Sequence, residues 1–345
     1  MSTSGRMRAV ELREFGGPEQ LVPVERAVPE PRDGDALVRV RACGVCFHDT
    51  LVRAGRMPGV TLPRVLGHEF SGEVVAVGAR VRTVHVGDRV AALTRVTCGM
   101  CRFCWTGHAS LCVDPTRLSD GAYAEYVAVP EQGLKRIPDG VDFESAAIAA
   151  CAIGPSYNGL VAKARVRPGE TVVVTGASGG LGTHALQVAQ LHSARTIAVT
   201  GSEAKADALR KAGADEVVVS PGGDFVGAVK ALTSGAGADI VVENVGAAFL
   251  PASLKSLRKG GRLVLLGDLA GGSVSVNPAV ILLRELSLVV GKTASPVELV
   301  EILELLARRR LHAVVSERVE LEAAARAHER LAARQAVGRV VLVPS

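Results

Sequence analysis

From Glu170 onward the chain repeats one pattern, a short apolar run followed by a helical stretch and then another apolar run. The runs are 171–175, 196–200, 216–219, 240–242, 262–266 and 287–290, rich in Val, Ile and Leu. Each is too short for a helix and is apolar continuously rather than at alternate positions. Strands of that kind need cover on both faces, which a parallel sheet between two helical layers provides. The pattern predicts an α/β domain with a doubly wound, six-stranded parallel sheet, the architecture that binds dinucleotides.

The preceding texture is different. Residues 36–41, 71–77 and 88–93 read as short Val-rich strands broken by Gly and Pro, and predict a small β-rich domain. Beyond Gly291 the alternation stops. Ser295, Pro296 and Glu298 open a helix with a capping serine, a proline in the first turn and a capping-box glutamate. The chain closes on a strand at 338–344, read as returning to the first domain. At 345 residues and 48% hydrophobic the chain can bury two cores. The expected division is 1–152, 153–292 and a C-terminal return at 293–345.

Several classes of function are set aside. No apolar run approaches the ~20 residues that span a bilayer, and the opening residues are polar, so a soluble cytoplasmic protein is expected. The net charge of +5 is mild and its Lys and Arg are scattered, and aromatics at 3% leave no stacking platform, so nucleic acid is not an expected partner. Of the seven cysteines, six fall into patterns that point to metal rather than disulfides.

The tightest of these patterns is Cys98, Cys101, Cys104 and Cys112, four thiols in one loop-like stretch containing Gly99 and Gly107. One backbone excursion can wrap a tetrahedral ion with them, and four thiolates leave no position for substrate. The expectation is a closed, structural zinc. A cytoplasmic setting weighs against disulfides, and the spacing does not match ferredoxin patterns.

A second set is dispersed: Cys46 with Asp49, then His68 and Glu69 after Gly67, then Cys151 near the domain junction. Two thiolates and an imidazole leave a fourth coordination position open for water or a substrate oxygen. Singly, each residue has an ordinary reading as a small buried group or a turn residue. Their joint occurrence predicts a catalytic zinc.

The third set is the strand 171–175 followed by Gly176, Ser178, Gly179, Gly180, Leu181 and Gly182 and then a helical stretch. A glycine turn between strand and helix aims backbone N–H groups and the helix dipole at a pyrophosphate.

Over almost its whole length the chain resembles the zinc-containing medium-chain dehydrogenases, of which alcohol dehydrogenase is the familiar member. The likeness rests on Cys43-Gly-Val-Cys46-Phe-His-Asp49, Gly67-His-Glu-Phe-Ser-Gly72, the four-cysteine lobe at 98–112, Cys151, the glycine turn and Gly338-Arg339. It implies a GroES-like catalytic domain, a Rossmann domain and a C-terminal return. Cys46, His68 and Cys151 resemble the catalytic zinc ligands, and Asp49 the carboxylate that orients the ligand histidine. Glu69 resembles an acidic residue that can transiently join the metal, and Arg339 an arginine that meets the cofactor pyrophosphate. Cys43 has no counterpart role and is expected to be packing.

The chain departs from the family pattern at two places. Where familiar alcohol dehydrogenases begin a proton relay with a hydroxyl, this chain has His48 after Phe47, and Leu51 stands where a further histidine would follow. His48 is a candidate for the relay itself or for a substrate contact. At the end of the second sheet strand, where NAD-preferring enzymes carry an acid, stand Thr200, Gly201 and Ser202, with Lys205 beyond. Small, hydroxylated and basic groups accommodate a 2′-phosphate, so NADP(H) is expected over NAD(H).

The function expected is zinc-dependent hydride transfer between NADP(H) or NAD(H) and an alcohol or carbonyl, with two zinc ions per chain. Reduction of an enoyl thioester, as by acryloyl-CoA reductases, is the alternative that the missing hydroxyl favours. A non-catalytic cofactor-binding protein fits the complete ligand sets less well. The expected partners are a small-molecule substrate and further copies of the chain, as a homodimer or homotetramer.

Overall fold

The computed structural model describes residues 5–114, 120–268 and 271–344. The polar opening at residues 1–4 lies outside the described residues. Chain contacts divide the molecule into two units, the first Met1–Cys151 with Thr293–Arg309 and Val315–Ser345, the second Ala152–Lys292 with Arg310–Val314.

The second unit contains the predicted sheet. Its six strands are Thr171–Val174, Arg195–Thr200, Glu216–Val219, Ala238–Glu243, Leu257–Leu265 and Ser287–Val290. All pair in parallel, with Thr171–Val174 and Ala238–Glu243 at the centre and Glu216–Val219 and Ser287–Val290 at the edges. The order reverses beside Thr171–Val174, which places a switch point where the glycine turn leaves that strand. Burial explains the continuous apolar pattern: Val172, Val173, Val174, Ile240, Val241 and Val242 are all 0% exposed, so neither face could be polar. The fifth strand starts five residues earlier than its apolar run, at Leu257. Lys259, Gly260 and Gly261 pair too weakly with an apolar pattern to be read as strand from sequence.

The first unit is built on a mainly antiparallel seven-stranded sheet whose long central strand, Asp35–Val45, pairs with Phe70–Val77, Tyr126–Pro130 and the C-terminal Arg339–Val343. The C-terminal strand Arg339–Val343 thus belongs to the sheet of the first unit. Val315–Glu320 extends the sheet beyond it in parallel. This strand and the helix Ala324–Ala332 carry no clear sequence signal; Ser316, Glu317, Arg318 and Glu320 obscure the strand's one buried position, Val319. The predicted helix Pro296–Ala307 forms with its full cap, Ser295 Oγ accepting from the Glu298 N–H and the Glu298 carboxylate accepting from the Ser295 N–H. None of the described helices is long and apolar enough to cross a membrane.

Candidate functional site

The central strand of the first unit ends at Val45, and Cys46 occupies the N-cap of the helix Phe47–Arg53. Asp49, in the first turn, folds back so that its Oδ2 accepts the Cys46 N–H at 3.0 Å, satisfying one of the donors a helix start leaves unpaired. Its other oxygen meets Nδ1 of His68 at 3.0 Å. His68 follows Gly67, whose φ of +104° is a glycine conformation; a Cβ there would lie 2.6 Å from the Tyr123 ring. Cys151 comes from a π-helical turn, Ala149–Ile153, an irregularity frequent at functional sites.

These elements bring the dispersed set together. The Cys46 and Cys151 sulfurs are 3.9 Å apart, and the Cys151 sulfur is 3.7 Å from His68 Nε2. With metal–sulfur and metal–nitrogen bonds of ~2.3 and ~2.0 Å, a tetrahedral zinc site has edges of roughly 3.5–3.8 Å. The donor set thus fits the ion. Hydrogen bonding from Cys151 holds the Cys46 thiol well below its ordinary pKa, burial opposing and the Arg339 charge assisting.

Glu69 completes the cluster: one ligand atom from each of Cys46, His68, Glu69 and Cys151 lies within 4.8 Å of the others. Glu69 is fully buried and neither carboxylate oxygen has a hydrogen-bond partner, though Arg339 Nε lies 3.3 Å away. Burial pushes the Glu69 carboxyl up to about 8, with the Arg339 charge opposing. A buried carboxyl with unmet oxygens is costly to hold unless something else engages it, and a nearby cation is one such group. His48 stands edge-on to His68 at 5.3 Å between ring centroids, and its buried Nδ1 has no hydrogen-bond partner.

The four-cysteine lobe forms separately and by itself. Cys101 caps the short helix Arg102–Trp105, which brings Cys104 to 3.6 Å from the Cys101 sulfur and 4.0 Å from that of Cys98. Cys112 closes the group, its sulfur accepting the Cys98 N–H at 3.3 Å. Such N–H···S contacts stabilise thiolates: the Val113 N–H, with help from Cys104, draws the Cys101 thiol down to about 6. Cys43, the remaining thiol, is fully buried in the hydrophobic core of the first unit.

In the second unit the glycine turn joins Thr171–Val174 to the helix Gly180–Leu191, with Gly179 at its N-cap. A Cβ on Gly182 would lie 2.5 Å from the Gly176 carbonyl oxygen, so only glycine lets the helix pack this closely on the turn. Lys205 Nζ donates to Ser178 Oγ at 3.3 Å, which places this cation beside the turn. Thr200 is buried at the end of its strand, and Ser202 is half-buried beyond it.

Residues 32–139 match the family model of the alcohol dehydrogenase GroES-like domain, and residues 180–308 that of zinc-binding dehydrogenases. The acryloyl-coenzyme A reductase of Metallosphaera sedula is 35% identical over 318 residues, 91% of this chain and 93% of that protein. The chain belongs to the zinc-containing medium-chain dehydrogenase/reductase family. An NAD-dependent alcohol dehydrogenase of Sulfurisphaera tokodaii is 34% identical, over 98% of this chain and all of that protein. The crystal structure of AibC is similar at a TM-score of 0.93 and 43% identity, covering 99% of this chain and 97% of that one. As a family member the protein is an oxidoreductase enzyme, and the alcohol dehydrogenase and acryloyl-CoA reductase resemblances both stand.

Four polar residues outside the sequence motifs are built into these sites by the fold. Tyr123 donates its hydroxyl proton to Asp49 Oδ2 at 3.2 Å, and His328 Nε2 lies 3.1 Å from the same hydroxyl. In the second unit, fully buried Glu243 accepts from the Thr175 hydroxyl and from the Val245 and Gly246 N–H groups, while Asn244 bonds the Thr175 carbonyl. This fastens the strand that leads into the glycine turn to its neighbour. A polar pair ending the apolar run 240–242 was the only signal for the second group; nothing local marked the first.

Proposed function

We propose that Cys46, His68 and Cys151 hold a catalytic zinc, that Cys98, Cys101, Cys104 and Cys112 hold a structural one, and that the enzyme transfers hydride between NADP(H) and an alcohol or carbonyl. The spacing of two half-buried sulfurs and one imidazole nitrogen, close to that of a tetrahedral site, carries this reading. When bound, the ion supplies Lewis-acid polarisation of a substrate oxygen. The chain's own residues supply orientation and proton transfer. Asp49 accepts from His68 Nδ1, which makes Nε2, on the thiol side, the nitrogen that would hold the ion. Glu69 is a further carboxylate within reach of the same centre, and Arg339 neutralises it. Arg339 is also assigned to the cofactor pyrophosphate.

Cofactor binding is assigned to the second unit. Ser178 and Gly179 lead into the helix start at Gly180, Leu181 and Gly182, whose N–H groups are assigned to the pyrophosphate, with Gly176 making the turn and its carbonyl accepting the Gly179 N–H. Thr200, Ser202 and Lys205 offer hydroxyls and a cation in place of an acid, which supports NADP(H) over NAD(H). Leu282, Leu283, Leu288 and Val290 are exposed on and beside the edge strand Ser287–Val290 and support self-association as a homodimer or homotetramer. Thiolate metal sites suit a reducing compartment such as the cytoplasm.

His48 decides between the two substrate readings. Its unpartnered Nδ1 beside His68 makes it the group available to take a proton from an alcohol. The alternative, reduction of an enoyl thioester, is favoured by the missing hydroxyl at position 48 and by the likeness to acryloyl-coenzyme A reductase. His48→Ala should lower alcohol oxidation by roughly tenfold to a hundredfold near neutral pH, with recovery in small buffers. Wild type and variant are compared on an alcohol and an enoyl thioester across pH. A change in KM alone on both substrates refutes the relay.

A further inference from the structure

The three ligand side chains leave two polar groups behind them unexplained. Tyr123 and His328 are both 0% exposed, and they come from distant parts of the chain, His328 from the C-terminal helix Ala324–Ala332. Their rings meet edge-on at 5.9 Å, and the Tyr123 hydroxyl stands between His328 Nε2 at 3.1 Å and Asp49 Oδ2 at 3.2 Å.

Counting protons gives this chain of contacts a direction. Asp49 Oδ2 already accepts the Cys46 N–H, and Oδ1 faces His68 Nδ1, so the carboxylate is surrounded by donors and acts as an acceptor. The tyrosine has one proton, and it goes to Asp49. Its oxygen must then accept from His328, which puts the His328 proton on Nε2 and leaves Nδ1 bare. His328 Nδ1 is indeed buried without a partner. The reverse direction would set two oxygen lone pairs against each other at Asp49 and bury an unmet N–H on His328, which costs more than an unmet acceptor. The order is therefore His328 Nε2–H to Tyr123 Oη–H to Asp49, and His68 Nδ1–H to Asp49 from the other side.

We propose that Tyr123 and His328 are positioning residues of the metal centre, which fix the Asp49 carboxylate and through it the orientation and tautomer of His68. The proposal rests on the assignment of Cys46, His68 and Cys151 as zinc ligands. It makes the C-terminal helix part of the metal site, with His328 reaching His68 through Tyr123 and Asp49. Buried hydrogen-bond chains of this kind hold their members more firmly than the separate pairs would. Partners that orient a ligand histidine commonly affect metal affinity by about tenfold to a hundredfold.

The test follows zinc release from the purified enzyme to a chromogenic chelator, in which two kinetic phases separate the catalytic from the four-cysteine site. Tyr123→Phe keeps the ring and removes one hydroxyl. It should speed release from the catalytic site by about tenfold or more, leave the structural-site phase unchanged, and lower kcat more than it changes KM. The cobalt-substituted enzyme should show a shifted visible absorption band. His328→Leu should move the same readouts in the same direction, and His328→Gln, whose amide can still donate to the tyrosine oxygen, should restore most of the loss. Should Tyr123→Phe fail to fold, the His328→Leu and His328→Gln pair decides by the same release rates. Lower thermal stability with wild-type zinc release and an unshifted cobalt spectrum would overturn the proposal, because a purely structural pair would behave that way. A wild type that holds only the four-cysteine zinc overturns the ligand assignment itself, before any variant is made.

Discussion

The two cysteine sites of the first unit offer the same chemistry in opposite settings. The lobe draws all four thiols from one stretch, Cys98 to Cys112, beside exposed Met100, Trp105 and Val113. The other set needs a strand end for Cys46, a glycine-dependent turn for His68 and a π-helical turn for Cys151, and Asp49, His68 and Glu69 around it are all buried. A local site can be closed by its own ion and has little else to hold it. A dispersed site is held by packing whether or not the ion is present. The difference predicts that the lobe couples metal to stability and the buried set couples metal to chemistry.

Breaking each site should separate these effects. Cys46→Ser should leave a folded protein that still binds cofactor, with turnover reduced on the order of a thousandfold, since metal polarisation contributes several kcal/mol. Circular dichroism and cofactor titration beside steady-state assays check this, and equal loss of folding in this variant and in Cys104→Ser would contradict the contrast. Cys104→Ser should lower Tm on the order of 10 °C and reduce soluble yield, because structural metal binding is itself folding free energy. Metal analysis of wild type should give about two zinc ions per chain. A reproducible value near one removes one of the sites.

Acid sharpens the comparison from the buried side. Burial pushes His328 down to about 4 from its ordinary 6.5, with Asp49 opposing and the Arg53 charge assisting. Between those values the unfolded chain binds more protons than the folded one, so stability rises with pH. The contribution is complete above about pH 6.5 and disappears as pH falls toward about 4, on the order of 3 kcal/mol in all. Urea unfolding at a series of pH values should show a flatter acid slope for His328→Gln than for wild type. An unchanged slope would mean that His328 does not enter the fold uncharged.

The smallest effect is expected in the second unit, at a side chain only partly buried. Lys205→Ala should weaken NADPH binding by about threefold to tenfold and leave NADH nearly unchanged, because a half-exposed cation contributes little beyond its contact with phosphate. Fluorescence titration of both cofactors measures it. Tighter binding of NADH by the wild type would reject the preference itself.

The parts of the molecule legible in the sequence share a physical trait: their signal is contiguous. Six apolar runs announce a sheet buried on both faces, and Ser295, Pro296 and Glu298 announce a helix start that forms with both cap bonds. The four thiols of the lobe and the glycine turn likewise lie within single loops. Cys46, His68 and Cys151 were legible as a donor set and as a family pattern, but nothing between positions 46 and 151 dictates that three chain segments converge. Tertiary structure alone decided the rest. Tyr123 and His328 are separated by more than 200 residues and meet because the C-terminal strand Arg339–Val343 pairs with Asp35–Val45 and brings its preceding helix into the same core. Burial then turned an ordinary tyrosine and histidine into hydrogen-bond partners of a carboxylate. In a low-dielectric interior a polar group must find a partner, and the identity of that partner is a property of packing, which no local stretch of residues encodes.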